Sequence, residues 1–248
     1  MSTRQPKLFQ YAACPFCNKV RSILKYKGVD YETVEVHPLN KKEIAFSQDY
    51  RAVPIYIDSQ GQQINDSTPI MRRIDAEFPN PRVFRTEPAE VARENEWLAW
   101  SDKFVKGIPT AIYDSFLNAL RSFNYITKVG KFNWFEKQTI KFSGAFIMTL
   151  VAQKIKKREG IEQPELFLKQ KAEEWGKGLN GQPFNGGETP NGADLAVFGI
   201  VQSFLGLRAG QWLEENAGFS AWLQKVKESA ENHTPQDSGR KLTEAVLQ

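Results

Sequence analysis

Residues 7–28 read KLFQYAACPFCNKVRSILKYKG, and this stretch decides the fold. Leu8, Phe9 and Tyr11 carry the signal of a short apolar strand, while Val20, Ile23 and Leu24 recur at helical spacing. Between them stands Cys14-Pro15-Phe16-Cys17, which holds the only two cysteines among the 248 residues. A thiol at the start of a helix meets unpaired backbone N–H groups and the positive end of the helix dipole, and both favour the nucleophilic thiolate. Proline suits the first helical turn, where its missing N–H costs nothing. A C-x-x-C pair at a strand-to-helix turn therefore reads as a redox-active dithiol. Two other readings weigh less. A closed zinc site needs four ligands, and the remaining soft ligands, His37 and His233, lie far along the chain. Two inert core thiols would leave Pro15 without a purpose.

Composition narrows the function classes. Hydrophobic residues make up 41% of the chain, enough for a substantial core, and the net charge is only +4. No basic arm or stripe of cations interleaved with aromatics is present, which argues against a nucleic-acid partner. Met1 to Pro6 is polar and has neither a signal-peptide nor a transit-peptide pattern, so a cytoplasmic protein is expected. The longest apolar run, Gly144 to Ala152, is shorter than the ~20 residues a membrane span requires. Lys154, Lys156 and Lys157 follow it, so membrane contact is expected to be peripheral at most.

The coarse order of elements supports an α+β fold. Residues 7–11 predict a strand, 15–27 a helix stopped by Gly28, and Tyr31 to Val36 a second strand. A short helix over 41–46 precedes strands at 52–57 and at Gln63-Ile64. A helix then opens near Asp66-Ser67-Thr68-Pro69, with Ser67 as its expected N-cap and Ile70, Ile74 and Phe78 on its apolar face. This βαβ, αββα order is the thioredoxin arrangement, expected over 1–80. Pro79-Asn80-Pro81 ends it, and 81–88 read as a linker. Strand signals then vanish. An all-helical domain is expected over 89–231 and a polar tail over 232–248. Its helices are predicted near 91–105, 112–126, 132–158, 168–179, 195–207 and 219–230. Leu195 to Leu207 is apolar nearly all round, which marks a helix buried on every side. Trp97, Trp100, Phe104 and Phe146 are candidates for a core stripe or for the lining of an apolar pocket.

A thioredoxin-like domain followed by an all-helical one resembles the glutathione transferase superfamily. Val53-Pro54 looks like that superfamily's Val-Pro with a cis bond, whose Val main chain pairs with the cysteinyl part of glutathione. Asp66-Ser67 occupies the place of the acidic-Ser pair that holds the γ-glutamyl end. Asn191 with Asp194 looks like the capping box of the central helix. More narrowly, Gln10-Tyr11, the C-P-F-C motif, Lys19-Val20-Arg21, Val34-Glu35-Val36 and Arg51 resemble the type-2 membrane-associated prostaglandin E synthase family. So do Asn65-Asp66-Ser67, Phe123-Asn124-Tyr125-Ile126, Gly130-Lys131-Phe132 and Asn191 with Ala193-Asp194-Leu195-Ala196-Val197. The hydrophobic N-terminal anchor of that family is not found in this sequence, and the segment between its two domains is shorter.

The resemblance implies an enzyme of glutathione-dependent thiol chemistry. Its catalytic residues would be Cys14 as nucleophile, Cys17 as resolving thiol and Tyr11 as hydroxyl donor; core packing with a solvated tip is the other reading of Tyr11. Phe16, Val53, Pro54, Asp66 and Ser67 would bind glutathione. The co-substrate would be an electrophile, peroxide or disulfide, with a prostaglandin endoperoxide as the special case. A homodimer is implied as well, and no metal site. The same cleft could instead serve a binding module, holding haem with glutathione as its axial ligand or a cluster bridged by Cys14 and glutathione, or persist as a vestige in a partner-binding protein.

Overall fold

The computed structural model describes residues 4–38, 40–120, 122 and 134–232. Its first part runs β1 (Lys7–Gln10), α1 (Pro15–Tyr26), β2 (Glu32–Glu35), a 3-10 turn (Lys42–Ile44), β3 (Ile55–Ile57), β4 (Gln63–Asn65) and α2 (Ser67–Glu77). The strands lie in the order β2-β1-β3-β4, with β2 parallel to β1 and the other two pairings antiparallel. This is the thioredoxin-like arrangement expected from the sequence. Helices follow: α3 (Pro88–Ile112), α4 (Trp134–Glu159), α5 (Pro164–Gly178), α6 (Gly192–Gln202), α7 (Arg208–Glu214) and α8 (Ala217–Asn232). The Phe123–Ile126 and Gly130–Phe132 motifs, His233 and the tail from 233 onward lie outside the described residues. No helix among the described residues is long and apolar enough to cross a membrane.

One core crosses from the sheet to the helices. Leu8, Val20, Ile23 and Leu24 belong to the same buried cluster as Leu195, Ile200, Trp175 and Trp222. The contact that unites them is α1 against α6. A Cβ at Gly199 would lie 2.5 Å from the Asn18 carbonyl oxygen and 2.7 Å from Lys19 Cα, so only glycine lets the two backbones approach this closely. Ser22 Oγ also donates to the Leu195 carbonyl at 2.6 Å. Every residue from Gly192 to Val201 is buried, as the apolar pattern required.

The expected capping box is present. Asn191 Oδ1 accepts from the N–H groups of Ala193 (3.0 Å) and Asp194 (3.1 Å), and Asp194 Oδ2 accepts from Asn191 N–H at 3.0 Å. Glu94, fully buried on α3, completes it by accepting from Gly192 N–H at 2.8 Å. Nothing local in the sequence pointed to Glu94, because it meets α6 only through the tertiary fold.

Three expectations require correction. The N-cap of α2 is Asp66, whose carboxylate accepts from Ser67 N–H at 2.6 Å; Ser67 is already the first helical residue, and it is buried. The central helix ends at Gln202, not Leu207, and a turn leads from Ser203 into α7. Phe204 stays buried in that turn, so the apolar pattern continues where the helix does not. Finally, Trp97, Trp100 and Phe104 stack into the core with Trp175, Trp175 in turn meeting Trp222, whereas Phe146 stands exposed on α4 and shares nothing with them.

A buried ion pair fastens the passage from α2 to α3. Lys27 Nζ lies 2.7 Å from Asp75 Oδ1 and donates to the carbonyls of Phe78 and Pro81, each at 2.6 Å. Asp75 accepts in turn from the N–H groups of Val83 (2.9 Å) and Phe84 (3.1 Å). Burial pulls the Lys27 ammonium below its ordinary pKa, against the hydrogen bond and charge of Asp75. Asp75→Ala should therefore lower stability by about 3–5 kcal/mol, the range for removing one partner of a buried pair. Urea unfolding of the variant beside the parent measures this, and a change below ~1 kcal/mol would show that the pair is not the fastening.

Candidate active site

Cys14 closes the loop between β1 and α1. Its main chain is extended (φ −76°, ψ 123°) and Pro15 opens the helix behind it. A turn bond from Cys14 N–H to the Tyr11 carbonyl at 3.0 Å shapes the loop. Cys14 is a partly exposed residue, and Cys17, inside the first turn, is buried. The hydrogen bond from the Cys17 thiol pulls the Cys14 pKa below the ordinary thiol range. The main-chain N–H groups of Cys17 and Phe16 and the charge of Arg21 add to it against an opposing burial effect. Burial, followed by the bond and charge of Cys14, pushes Cys17 well up. The geometry thus separates two chemically identical side chains into a more acidic thiol on a partly exposed residue and a buried proton donor.

Tyr11 packs beside Val53 and Tyr50 against the small cluster of Phe9, Val36, Ile44 and Ile55. Burial and then the charges of Cys14 and Cys17 raise its pKa, so its phenol stays protonated as a donor next to the thiols. The Val53–Pro54 bond is cis, as the resemblance implied. Among the described residues the Val53 main chain makes no hydrogen bond, which leaves its N–H and C=O open for an extended ligand. Asp66 is exposed at the start of α2 with φ 69°, a left-handed conformation that non-glycine residues adopt rarely. Ser67 is buried, with Oγ 3.5 Å from Asp66 Oδ1. Phe16 packs, partly buried, against the main core, and its main-chain N–H acts on the Cys14 thiol.

Two residues tie these parts together that were given no role from the sequence. Lys19, fully buried on α1, donates to Thr68 Oγ1 at 3.1 Å and to Asp102 Oδ1 at 2.9 Å, which holds the start of α2 in register with the thiol helix. Tyr50 stands between the two halves of the site. Burial raises its pKa first, then the charge of Asp66 and that of Cys17, while the Asp66 main chain hydrogen-bonds to it. Its place just ahead of Val53-Pro54 is the only signal the sequence carries, and its distance along the chain from Cys14 hides the rest.

This fold and its thiol together define the class: a glutathione-transferase-like protein. Residues 8–82 match the family described as Glutathione S-transferase, N-terminal domain. A glutathione S-transferase structure from Sinorhizobium meliloti 1021 superposes with a TM-score of 0.65 at 16% identity, covering 93% of this chain and 92% of that one. A second, from Methylobacillus flagellatus KT with GSH bound, gives 0.58 at 16% identity over 93% of this chain and all (100%) of that one. At such identities these likenesses show the fold. A relative of higher identity narrows the class. Prostaglandin E synthase 2 of Mus musculus is 30% identical over 272 residues, covering 92% of this chain and 71% of its own. The chain belongs to the prostaglandin E synthase 2 family.

Proposed function

We propose that this protein is an enzyme of glutathione-dependent thiol chemistry in which Cys14 is the nucleophile. The observation that carries this reading is the acidified thiol of the partly exposed residue Cys14 at the start of α1, in a site that also contains Tyr11, Val53 and Asp66. Glutathione fits the residues present. The Val53 main chain would pair with its cysteinyl unit as an added strand, the Asp66 carboxylate would take its ammonium, and the N-terminus of α2 at Ser67 would take its α-carboxylate. In the reaction, the Cys14 thiolate attacks the glutathione sulfur of a mixed disulfide. The old S–S bond breaks, the released thiolate takes up a proton, and Cys14 is left bonded to glutathione. A second glutathione gives up its proton and attacks that sulfur, which regenerates Cys14 and releases glutathione disulfide. Cys17 can instead displace the glutathione, forming the Cys14–Cys17 disulfide. Action on the O–O bond of a prostaglandin endoperoxide is the special case that the family name brings with it. Haem, if it were held in this cleft together with glutathione, would give the purified protein a distinctive absorption spectrum, and that spectrum decides the cofactor.

Calorimetric titration with glutathione tests the site. The parent should bind, and Asp66→Ala should weaken binding about 10–100-fold, the equivalent of one charged hydrogen-bond partner. Equal affinities in the two proteins would remove Asp66 from the site, and no binding by either would overturn the reading.

A further inference from the structure

The loop that presents Cys14 is clamped from beneath by a polar network that the chemistry above does not use. Ala12 lies at its centre. Its N–H donates to Glu35 Oε1 at 2.7 Å, and its C=O accepts from Arg21 Nη2 at 2.6 Å. One arm of the clamp thus comes from β2 and the other from α1. Gln10, at the end of β1, joins them: its Nε2 donates to Glu35 Oε2 at 3.3 Å and its Oε1 accepts from Arg21 Nη1 at 2.9 Å. Arg21 also donates to Asn18 Oδ1. Asn18 in turn reaches the reactive residue, with both Nδ2 (3.1 Å) and N–H (2.9 Å) donating to the Cys14 carbonyl. Gln10 and Asn18 are themselves buried.

We infer that Arg21 is a positioning residue for Cys14, holding the 11–14 loop through its planar fork and bringing a positive charge to that loop. The inference rests on the reading of Cys14 as the reactive thiol. Four features of the network carry it. The fork reaches three acceptors on three different segments, which a lysine ammonium cannot reproduce with the same geometry. A guanidinium keeps its charge at every working pH. Its charge is the smallest of the influences that lower the thiols, in keeping with its bond to the Ala12 carbonyl two residues before Cys14. Among the described residues, its bonds go to the thiol loop or to a residue of the network that holds that loop.

Other charged and titratable groups face the same space and set the background for a titration. Cys17 lies inside α1, while Tyr11 on the loop and Tyr50 ahead of β3 face the thiols. Glu35 from β2 and Glu43 from the 3-10 turn face Tyr11, Asp66 faces Tyr50, and Tyr31 faces Arg21. Among the described residues Arg21 is a cation that acts on Cys14, so its removal is read in the thiol.

The test follows alkylation of Cys14 by iodoacetamide against pH, with the modified residue located by mass, together with amide exchange at Ala12 and Cys14. In Arg21→Gln the alkylation midpoint should rise by about 0.5–1 pH unit, and the rate at pH 7 should fall about 3–10-fold. In Arg21→Lys the midpoint should stay near that of the parent while exchange at Ala12 and Cys14 quickens, because charge is kept and the fork is lost. An Arg21→Gln protein whose midpoint does not move, even if it melts earlier, makes Arg21 a structural residue only and overturns the proposal. A lysine variant with parental exchange overturns the loop-holding role, and one whose midpoint rises as far as that of glutamine overturns the charge role. Should Arg21→Gln fail to fold, the lysine variant decides by the same two readouts. Both readouts are taken on the thiol and its loop without turnover, so a protein that binds no glutathione would still show them.

Discussion

Cys14→Ser should lower glutathione-dependent turnover of a model mixed disulfide by about 10³-fold or more, the scale for removal of a nucleophile that forms a covalent intermediate. The cause is chemical, not structural. Serine keeps the N-cap position, the turn to Tyr11 and the main-chain bonds to Asn18, so the fold and glutathione affinity should survive. Its hydroxyl ionises far above the working pH and cannot exchange with a disulfide. Cys17→Ser should behave differently. The Cys17 thiol is buried, and its surroundings hold it in the protonated form. A serine hydroxyl can still donate toward Cys14, so the loss should stay within about tenfold when excess glutathione resolves the intermediate. Steady-state rates for both variants, with melting curves as a folding control, check the pair of outcomes. Equal losses in the two would mean that Cys17 takes part in every turnover, and an active Cys14→Ser would remove Cys14 from the chemistry.

Asp194→Ala should destabilise the protein by about 3–5 kcal/mol, which for a chain of this size corresponds to a fall of about 6–20 °C in Tm. Asp194 is fully buried, and its carboxylate accepts four hydrogen bonds. They come from the N–H groups of Asn185 (2.9 Å), Gly186 (3.0 Å) and Asn191 (3.0 Å), and from Trp222 Nε1 at 2.8 Å. Burial raises its pKa, against the lowering effect of these donors. Removal of the side chain would leave four buried donors unpaired at once, where loss of an ordinary helix cap leaves one. Asn191→Ala should cost less, about 1–2 kcal/mol, since it takes the acceptor from the Ala193 and Asp194 N–H groups and a donor from Asn185 Oδ1 but leaves the Asp194 carboxylate and its bonds to Asn185, Gly186 and Trp222 in place. The folded fraction of each variant should keep parental alkylation at Cys14. If the two variants melt together, Asp194 adds nothing beyond a local cap; parental melting with lost thiol reactivity would move Asp194 into the active site.

Much of this was legible because it is local. The C-x-x-C pair between a strand pattern and a helix pattern placed the thiol. Val53-Pro54 and Asp66-Ser67 marked the two segments that accompany it, and Asn191 with Asp194 announced a helix start. Each of these signals lies within a few neighbouring residues, where backbone sterics and hydrogen-bond geometry act without help from the rest of the chain. Errors arose where local rules compete. Asp66 and Ser67 are both good N-caps, and the left-handed φ of Asp66 decided between them. Apolar residues running past Gln202 read as helix because burial and helicity share one pattern there.

By itself, then, the sequence determined the order of the elements in the sheet-bearing part, the α+β class, the identity of the candidate thiol and the start of the central helix, all of which depend on short-range chemistry, whereas α7 at Arg208–Glu214 emerged only with the fold. Only the tertiary structure decided which distant side chains meet. Glu94 reaches the first turn of α6, Lys27 pairs with Asp75, Lys19 spans to Thr68 and Asp102, Tyr50 comes between Asp66 and the thiols, and Arg21 and Glu35 close on Ala12. The physical reason is that a buried polar group must find a partner wherever the packed core brings one, and that choice is made by the fold as a whole and not by neighbours along the chain.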